Sequence, residues 1–382
     1  MTDGVVEILE RLVAFPTFSA DSNLPIIAYI EDFLATRGFE VHRLADAGGA
    51  KAGLFARIGP GDRPGVMLSG HTDVVPVAGQ AWTRDPLRLT REGERLFGRG
   101  TTDMKGFLAA MLALADRARD RDLAEPLKLA FSYDEELGCL GIGPMLGALR
   151  QTVGAPRLVI VGEPSSMQIA TGHKGKSAFR ARCTGVAGHS AMAPDFVNAI
   201  HVAADYIAEL RGLQARLAAE GCRDSDYDVP FSTVHVGRIA GGRAMNIVPD
   251  HAEIDFEIRY LEGEPLTALE VELRAAAERV SLRYGHLGTE AIALDRLFAY
   301  PGLDTPPDGE AVALLADLLP GARRIKVSYG TEAGHFSAAG MPALVCGPGS
   351  MEQGHKPDEF IDMSELAACG TMLDRLLDSI AR

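Results

Sequence analysis

The sequence predicts an α/β protein: a mixed, mainly parallel sheet flanked by helices, interrupted by an inserted layer of α+β character. Three observations point there. Apolar runs beginning at Val66, Leu127 and Leu158 read as strands buried on both faces of a parallel sheet, and each is followed by a histidine or an acid. Stretches with apolar residues at helical spacing alternate with those runs. From about Ser177 to Leu297 the order becomes strand, turn, helix, strand, strand, helix, strand, which describes a sheet with two helices on one face.

At 382 residues the chain exceeds the size at which a single core keeps growing, so two domains are expected. Residues 1–176 and 298–382 form one, and 177–297 the inserted other. An apolar fraction of 47% and a charged fraction of 24% are those of an ordinary soluble protein. A net charge of -14 argues against nucleic acid or an anionic membrane as partner, since both demand basic surface. Without a charged-then-apolar leader or an apolar run of spanning length, the expected location is the cytoplasm. The cysteines at 139, 183, 222, 346 and 369 are odd in number and scattered, which fits reduced thiols.

In chain order, Val5, Ile8, Leu9, Leu12 and Val13 mark a helix ended by Pro16, and Ile27, Ile30, Phe33 and Leu34 a second, over about 24–37, stopped at Gly38. Residues 39–44 and 53–58 alternate as neighbouring strands. The run after Gly65 ends in His71-Thr-Asp73. On a strand, residues two apart point the same way, so one imidazole nitrogen can hold a metal while the other bonds the Asp73 carboxylate; a satisfied polar pair is the alternative. A long loop containing Gly, Pro and Trp follows. Asp103 then precedes a helix over about 105–119, where it either caps the helix or reaches elsewhere.

The strand at 127–133 runs into Asp134-Glu135-Glu136, acids that repel one another unless a cation lies near. The strand at 158–161 runs into Gly162-Glu163-Pro164. In the inserted layer, strands are expected at 177–184, 232–239, 251–260 and 290–297, helices at 199–219 and 267–284, and a turn at Gly188-His189-Ser190. Beyond Pro301, a helix over 309–319, a strand over 342–345 and a closing helix over 364–380 return to the α/β pattern. His71, Asp103, Glu136, Glu163 and His355 make a mixed imidazole and carboxylate set, which suits Zn(II), Co(II) or Mn(II).

In order, the chain carries Ser69-Gly-His71-Thr-Asp73-Val-Val-Pro76, Gly98-Arg-Gly-Thr-Thr-Asp103-Met-Lys-Gly106, Asp134-Glu135-Glu136, Gly162-Glu163-Pro164 and Gly354-His355-Lys-Pro. With these motifs it resembles the M20 metallopeptidase family over nearly its whole length, and within it the branch that deacetylates N2-acetyl-L-ornithine in arginine biosynthesis. The resemblance implies a zinc-exopeptidase-like catalytic domain with a ferredoxin-like lid, the lid carrying the contact of a homodimer. It implies two divalent ions, Zn(II) or alternatively Co(II). His71 and Glu163 would hold one ion, Glu136 and His355 the other, and Asp103 would bridge them. Asp73 would orient His71, Glu135 would be the general base, and His189 would reach the oxyanion from the neighbouring subunit.

For substrate, the resemblance assigns Asn246 and Arg259 to the α-carboxylate, where a guanidinium forks onto two oxygens and an amide adds a donor. Glu332, in Tyr329-Gly-Thr-Glu-Ala-Gly334, would meet a side-chain ammonium; otherwise it is a surface acid in a turn. The alternatives are a succinyl-diaminopimelate desuccinylase, a broader N-acyl-amino-acid hydrolase, or a non-catalytic metal-binding scaffold. An acid beside a ligand, as Glu135 is, has no use in the last.

Overall fold

The computed structural model describes residues 2–19, 21–285 and 291–382, and these divide into two compact units. One contains the chain up to His173, Leu303–Val327 and Thr331–Arg382; the other contains Lys174–Gly302 and Ser328–Gly330. Beside the expected bounds of 177 and 297, the second unit begins at 174, ends at 302 and takes in 328–330. The short segment joins the inserted unit because the Ser328 carbonyl accepts from Arg259 Nη1 at 3.3 Å, and because Gly330 lies so close to the Tyr300 ring that a Cβ there would sit 2.2 Å from it.

In the first unit, nine strands among the described residues form one sheet. Its order is Glu40–Ala45, Ala52–Ile58, Leu127–Ser132, Val66–His71, Leu158–Pro164, Ala343–Gly347, Ile169–His173 and Leu303–Asp304, with Arg324–Val327 also pairing beside Ile169–His173. The neighbours 127–132, 66–71, 158–164 and 343–347 run parallel. They are buried at every position, as continuous apolar runs require. Register sets Ser69 opposite both Ala130 and Val161, and His71 opposite Ser132, so their carboxyl ends share one edge.

Helices Thr2–Val13, Leu24–Ala35, Lys105–Ala118 and Met363–Ile380 supply much of the core, with Leu9, Leu12, Ile27, Phe107, Met111, Leu373 and Leu377 in one apolar cluster. The helix 105–118 is buried almost all round, and Gly162 is what lets a strand approach it: a Cβ there would fall 1.9 Å from the Phe107 ring.

Several elements escape the sequence pattern. The expected long loop contains the hairpin Thr90–Glu92 and Arg95–Phe97, which Phe360–Asp362 joins as a third strand. The helix Ile142–Thr152 is hidden by Gly143, Pro144 and Gly147, which read as turn residues. The short strands at 169–173 and 324–327 and the helix Ala333–Ala338 are too brief to show a period. The third strand reaches Pro164 where 161 was expected, so Glu163 stands on the strand itself.

The second unit is a four-stranded antiparallel sheet, ordered Thr233–Gly241, His251–Tyr260, Gly175–Thr184, Ile292–Tyr300, with helices Ala199–Glu220 and Leu266–Arg283. Glu290, the expected start of the last strand, lies outside the described residues. Ala252, Ile254, Phe256 and Ile258 alternate inward onto Tyr206, Leu210 and Leu273, while Glu253, Asp255, Glu257 and Arg259 take the other face. Gly188–His189, expected as a turn, is a short strand paired with Ile247–Val248. No helix among the described residues is long and apolar enough to cross a membrane.

Candidate metal centre

The parallel edge of the first unit's sheet gathers the strand-end residues. His71 is 1% exposed, and its Nε2 lies 3.1 Å from Asp103 Oδ1 and 3.5 Å from Glu163 Oε1. His355, half-exposed, has Nε2 at 3.0 Å from Asp103 Oδ2 and 3.0 Å from Glu136 Oε2. Asp103 thus turns one oxygen to each histidine. It does not cap its helix: Met104 occupies the cap position and no side chain caps there.

Among the described residues, two groups bring their ligand atoms within 4.8 Å of one another: His71 with Glu135 and Glu163, and His71 with Asp103 and Glu136. Glu135 therefore also lies at ligand spacing, as near as the residues expected to coordinate.

The Asp73 carboxylate stays within ion-pair distance of His71 but is not the nearest group to its Nδ1. His71 Nδ1 is 2.9 Å from the Asp73 backbone carbonyl and 3.6 Å from its carboxylate. The strand ends at His71, so the alternation of side chains no longer aligns the two. The Asp73 carboxylate also accepts from Ser19 Oγ at 2.8 Å and from the amides of Glu135 and Glu136 at 3.2 and 3.3 Å. It fixes the loop that follows the neighbouring strand. Lys51 bonds Asp134 and the Ser19 carbonyl, and so clamps the same loop from its other side.

Electrostatics show an excess of buried acid. Burial lifts the carboxyls of Glu163 and Glu135 well above the usual range against the pull of His71, and neighbouring carboxylates add to it. Burial and Asp103 lift Glu136 to about 7. Burial also opposes ionisation of Asp103, but hydrogen bonds with His355 and His71 prevail and hold it well below the carboxylate range. Hydrogen bonds to Asp103 and Glu136 push His355 up to about 10. Burial would depress His71, but Glu163, Asp103 and Asp73 overcome it and raise it well above its ordinary value.

Imidazoles and crowded, water-excluded carboxylates form a donor set suited to divalent ions, which would offset the acids' mutual repulsion. The residues present fit such a group.

Glu332 is no surface acid: it is 1% exposed, at the first turn of Ala333–Ala338. Its Oε2 accepts from Ser132 Oγ at 2.8 Å, its Oε1 has no hydrogen-bond partner among the described residues, and burial lifts it to about 7. Cys139 places its Sγ 3.2 Å from Glu135 Oε1.

His189, Asn246 and Arg259 lie in the second unit. The first two are brought together there: His189 pairs with Ile247, and Ser190 N donates to the Asn246 carbonyl at 3.1 Å. His189 Nδ1 accepts from Ala191 N at 3.1 Å. Arg259 donates from Nε to Glu257 Oε1 at 2.9 Å. Glu359 is a buried acid outside the expected set. Its only local signal is its place four residues beyond His355.

The profile of "Peptidase family M20/M25/M40" matches residues 67–379. An acetylornithine deacetylase of Proteus mirabilis is 36% identical over 386 residues, covering 98% of this chain and 96% of its own. Among solved structures, an M20 family metallo-carboxypeptidase of Sulfolobus solfataricus superposes with a TM-score of 0.78 at 17% identity, covering 98% of both chains. A dinuclear metal binding peptidase of Bacillus subtilis from the M20 family does so at 0.67 and 17%, covering 99% of this chain and 98% of its own.

Proposed function

The chain belongs to peptidase family M20/M25/M40 and is an enzyme that hydrolyses amides, and from that premise we propose that it releases acetate and L-ornithine from N2-acetyl-L-ornithine, as an arginine-biosynthetic deacetylase. The observation that carries the metal-dependent part is Asp103, whose two oxygens each face a different histidine. The relatives' activity carries the substrate.

Two divalent ions, Zn(II) or Co(II), would be held by His71 with Glu163 and by His355 with Glu136, Asp103 serving both. When bound, such ions supply Lewis acidity toward the amide carbonyl and the attacking water. The remaining steps fall to the chain's own groups. Glu135 is the general base: its water-poor surroundings favour taking up a proton, which it then delivers to the leaving amine. Cys139 and the Glu135 backbone bond to Asp73 hold that carboxylate in place. Asp73 and Lys51 keep the acidic loop fixed. His189, supplied by a second copy of the chain, donates to the developing oxyanion. Asn246 and Arg259 receive the α-carboxylate.

Glu332 is proposed to meet the ornithine ammonium, supported by its unpartnered Oε1. Its 1% exposure favours a second reading, in which Glu332 supports the site from beneath and the enzyme accepts N-acyl amino acids more broadly. An assay of acetate or amino-acid release over a panel of N-acyl amino acids, at fixed added metal, separates the two. Preference for N2-acetylornithine supports the first; flat rates across neutral and basic side chains overturn it. For His189, mixing His189→Ala and Glu135→Gln chains should restore activity through heterodimers, and no recovery after proven subunit exchange would place His189 outside its partner's site.

A further inference from the structure

Glu359 is a carboxylate with 1% exposure that belongs to no ligand position. Both of its oxygens are engaged. Oε1 accepts from the amides of Thr102 at 2.9 Å and Asp103 at 3.1 Å. Oε2 accepts from the Gly100 amide at 3.0 Å and from Arg99 Nη1 at 2.7 Å. The segment leading to Asp103 is thereby wrapped around one side chain. Gly100 takes a φ of +82°, a conformation that aims its amide inward and that other residues adopt only with strain.

The same carboxylate is tied to the other side of the centre. Arg99, also 1% exposed, bonds Gln80 through Nη2 and the Lys356 carbonyl through Nη1 at 3.4 Å. Gln80 Nε2 donates to the His355 carbonyl at 3.1 Å, and Trp82 Nε1 donates to Gln80 Oε1 at 2.9 Å. His355 has a φ of +61°, so its backbone needs holding. Thr102 Oγ1 adds a bond to the Phe360 carbonyl at 2.7 Å. By contrast, His71 and Glu163 stand on interior strands whose ladders fix them.

We propose that Glu359, through Arg99 and Gln80, is the positioning residue that sets Asp103 and His355 relative to each other, and so builds the half of the centre that strands do not build. This rests on the two-ion reading given above. A charged acceptor serving four donors cannot be replaced by an amide, whose NH2 would face either Arg99 and Gly100 or Thr102 and Asp103.

The test is calorimetric titration of metal-free protein with Zn(II) or Co(II), with the Co(II) absorption spectrum recorded in parallel. Glu359→Gln is expected to weaken one of the two equivalents about tenfold or more, in the range seen for groups that orient ligands, while the other, held by strand-borne His71 and Glu163 and sharing only Asp103, weakens by a smaller factor. Arg99→Lys keeps a cation opposite Glu359 but loses the reach to Gln80, so it should weaken the same equivalent by a smaller factor; it stands in should Glu359→Gln fail to fold. Two equivalents in the parent with both weakened alike, or neither changed, in the variants overturns the role of Glu359 alone. A parent that binds a single equivalent sinks the two-ion reading and this inference with it.

Discussion

The strand-end centre and the open face of the second unit's sheet are both dense in charge, but they balance it in opposite ways. On the sheet face, Arg180 forks onto Asp255, with Arg238 joining at 3.2 Å, Lys176 and Arg259 flank Glu257, and Arg182 meets Asp295. Every acid named there has its cation, and water reaches the pairs. At the strand ends, Asp103, Glu135, Glu136 and Glu163 lie buried against two histidines, with no lysine or arginine of the described residues in ion-pair contact. Charge that is balanced within the chain reads as surface structure. Buried charge left unbalanced calls for a cation from outside, and that difference separates a functional site from a solvated ladder.

The largest expected effect breaks the comparison at its root. Chelation followed by buffer exchange should abolish turnover and lower the unfolding temperature, and Zn(II) or Co(II) should restore both, because ions that bind only the folded chain stabilise it by mass action. Full activity in protein shown by elemental analysis to be metal-free would mean that the excess acid has another purpose. Next comes Glu135→Gln, which removes the proton carrier while keeping the shape. It should retain metal and lose on the order of 10² to 10⁴ in kcat. Since Glu135 also lies at ligand spacing, loss of metal in that variant would reassign it from base to ligand.

The strand-borne part of the centre was legible in the sequence because its residues sit at the ends of strands, and strands advertise themselves by continuous apolar runs, whereas Asp103 and His355 lie off the strands and came only with their motifs. His71, the acidic triplet and Glu163 follow such runs directly, and parallel register does the rest. What the sequence did not disclose depends on backbone geometry beyond the last ladder bond. Alternation predicted that the Asp73 carboxylate would meet His71, but the strand had ended and the backbone carbonyl lies nearer. Glu359 acts by accepting amides from a loop more than 250 residues away in sequence, as its bond to Thr102 at a separation of 257 shows, and no local period encodes that. The helix 142–152 was lost to its glycines and proline, whose turn preference tertiary packing overrides.

Glu332 sharpens the comparison, since it is a further buried acid whose free oxygen lacks a counter-charge. Glu332→Gln should reduce kcat/KM for N2-acetylornithine by about 2 kcal/mol or more beyond its effect on N-acetylmethionine, the cost of a buried ion pair losing one partner. Equal losses on both substrates would give Glu332 a supporting role under Ser132 and leave the specificity to other residues.

The smallest effect belongs to the balanced face. Glu257 accepts from Lys176 Nζ at 2.7 Å and from Arg259 Nε at 2.9 Å, with a quarter of its side chain exposed. Partial burial would raise its carboxyl, but Lys176 and Arg259 outweigh it and hold it below its ordinary 4.5. A lowered folded-state value means that the unfolded chain binds the proton more tightly. The stabilisation is therefore complete above 4.5 and is lost as pH falls through the folded-state value. Glu257→Gln removes the charge at every pH. In urea titrations it should cost about 1 kcal/mol or less near neutrality, as for other water-accessible pairs, and the gap from the parent should close in acid. A loss of several kcal/mol that persists in acid would show that this face, too, carries a charge which its own partners do not balance, and the contrast between the two regions would fail.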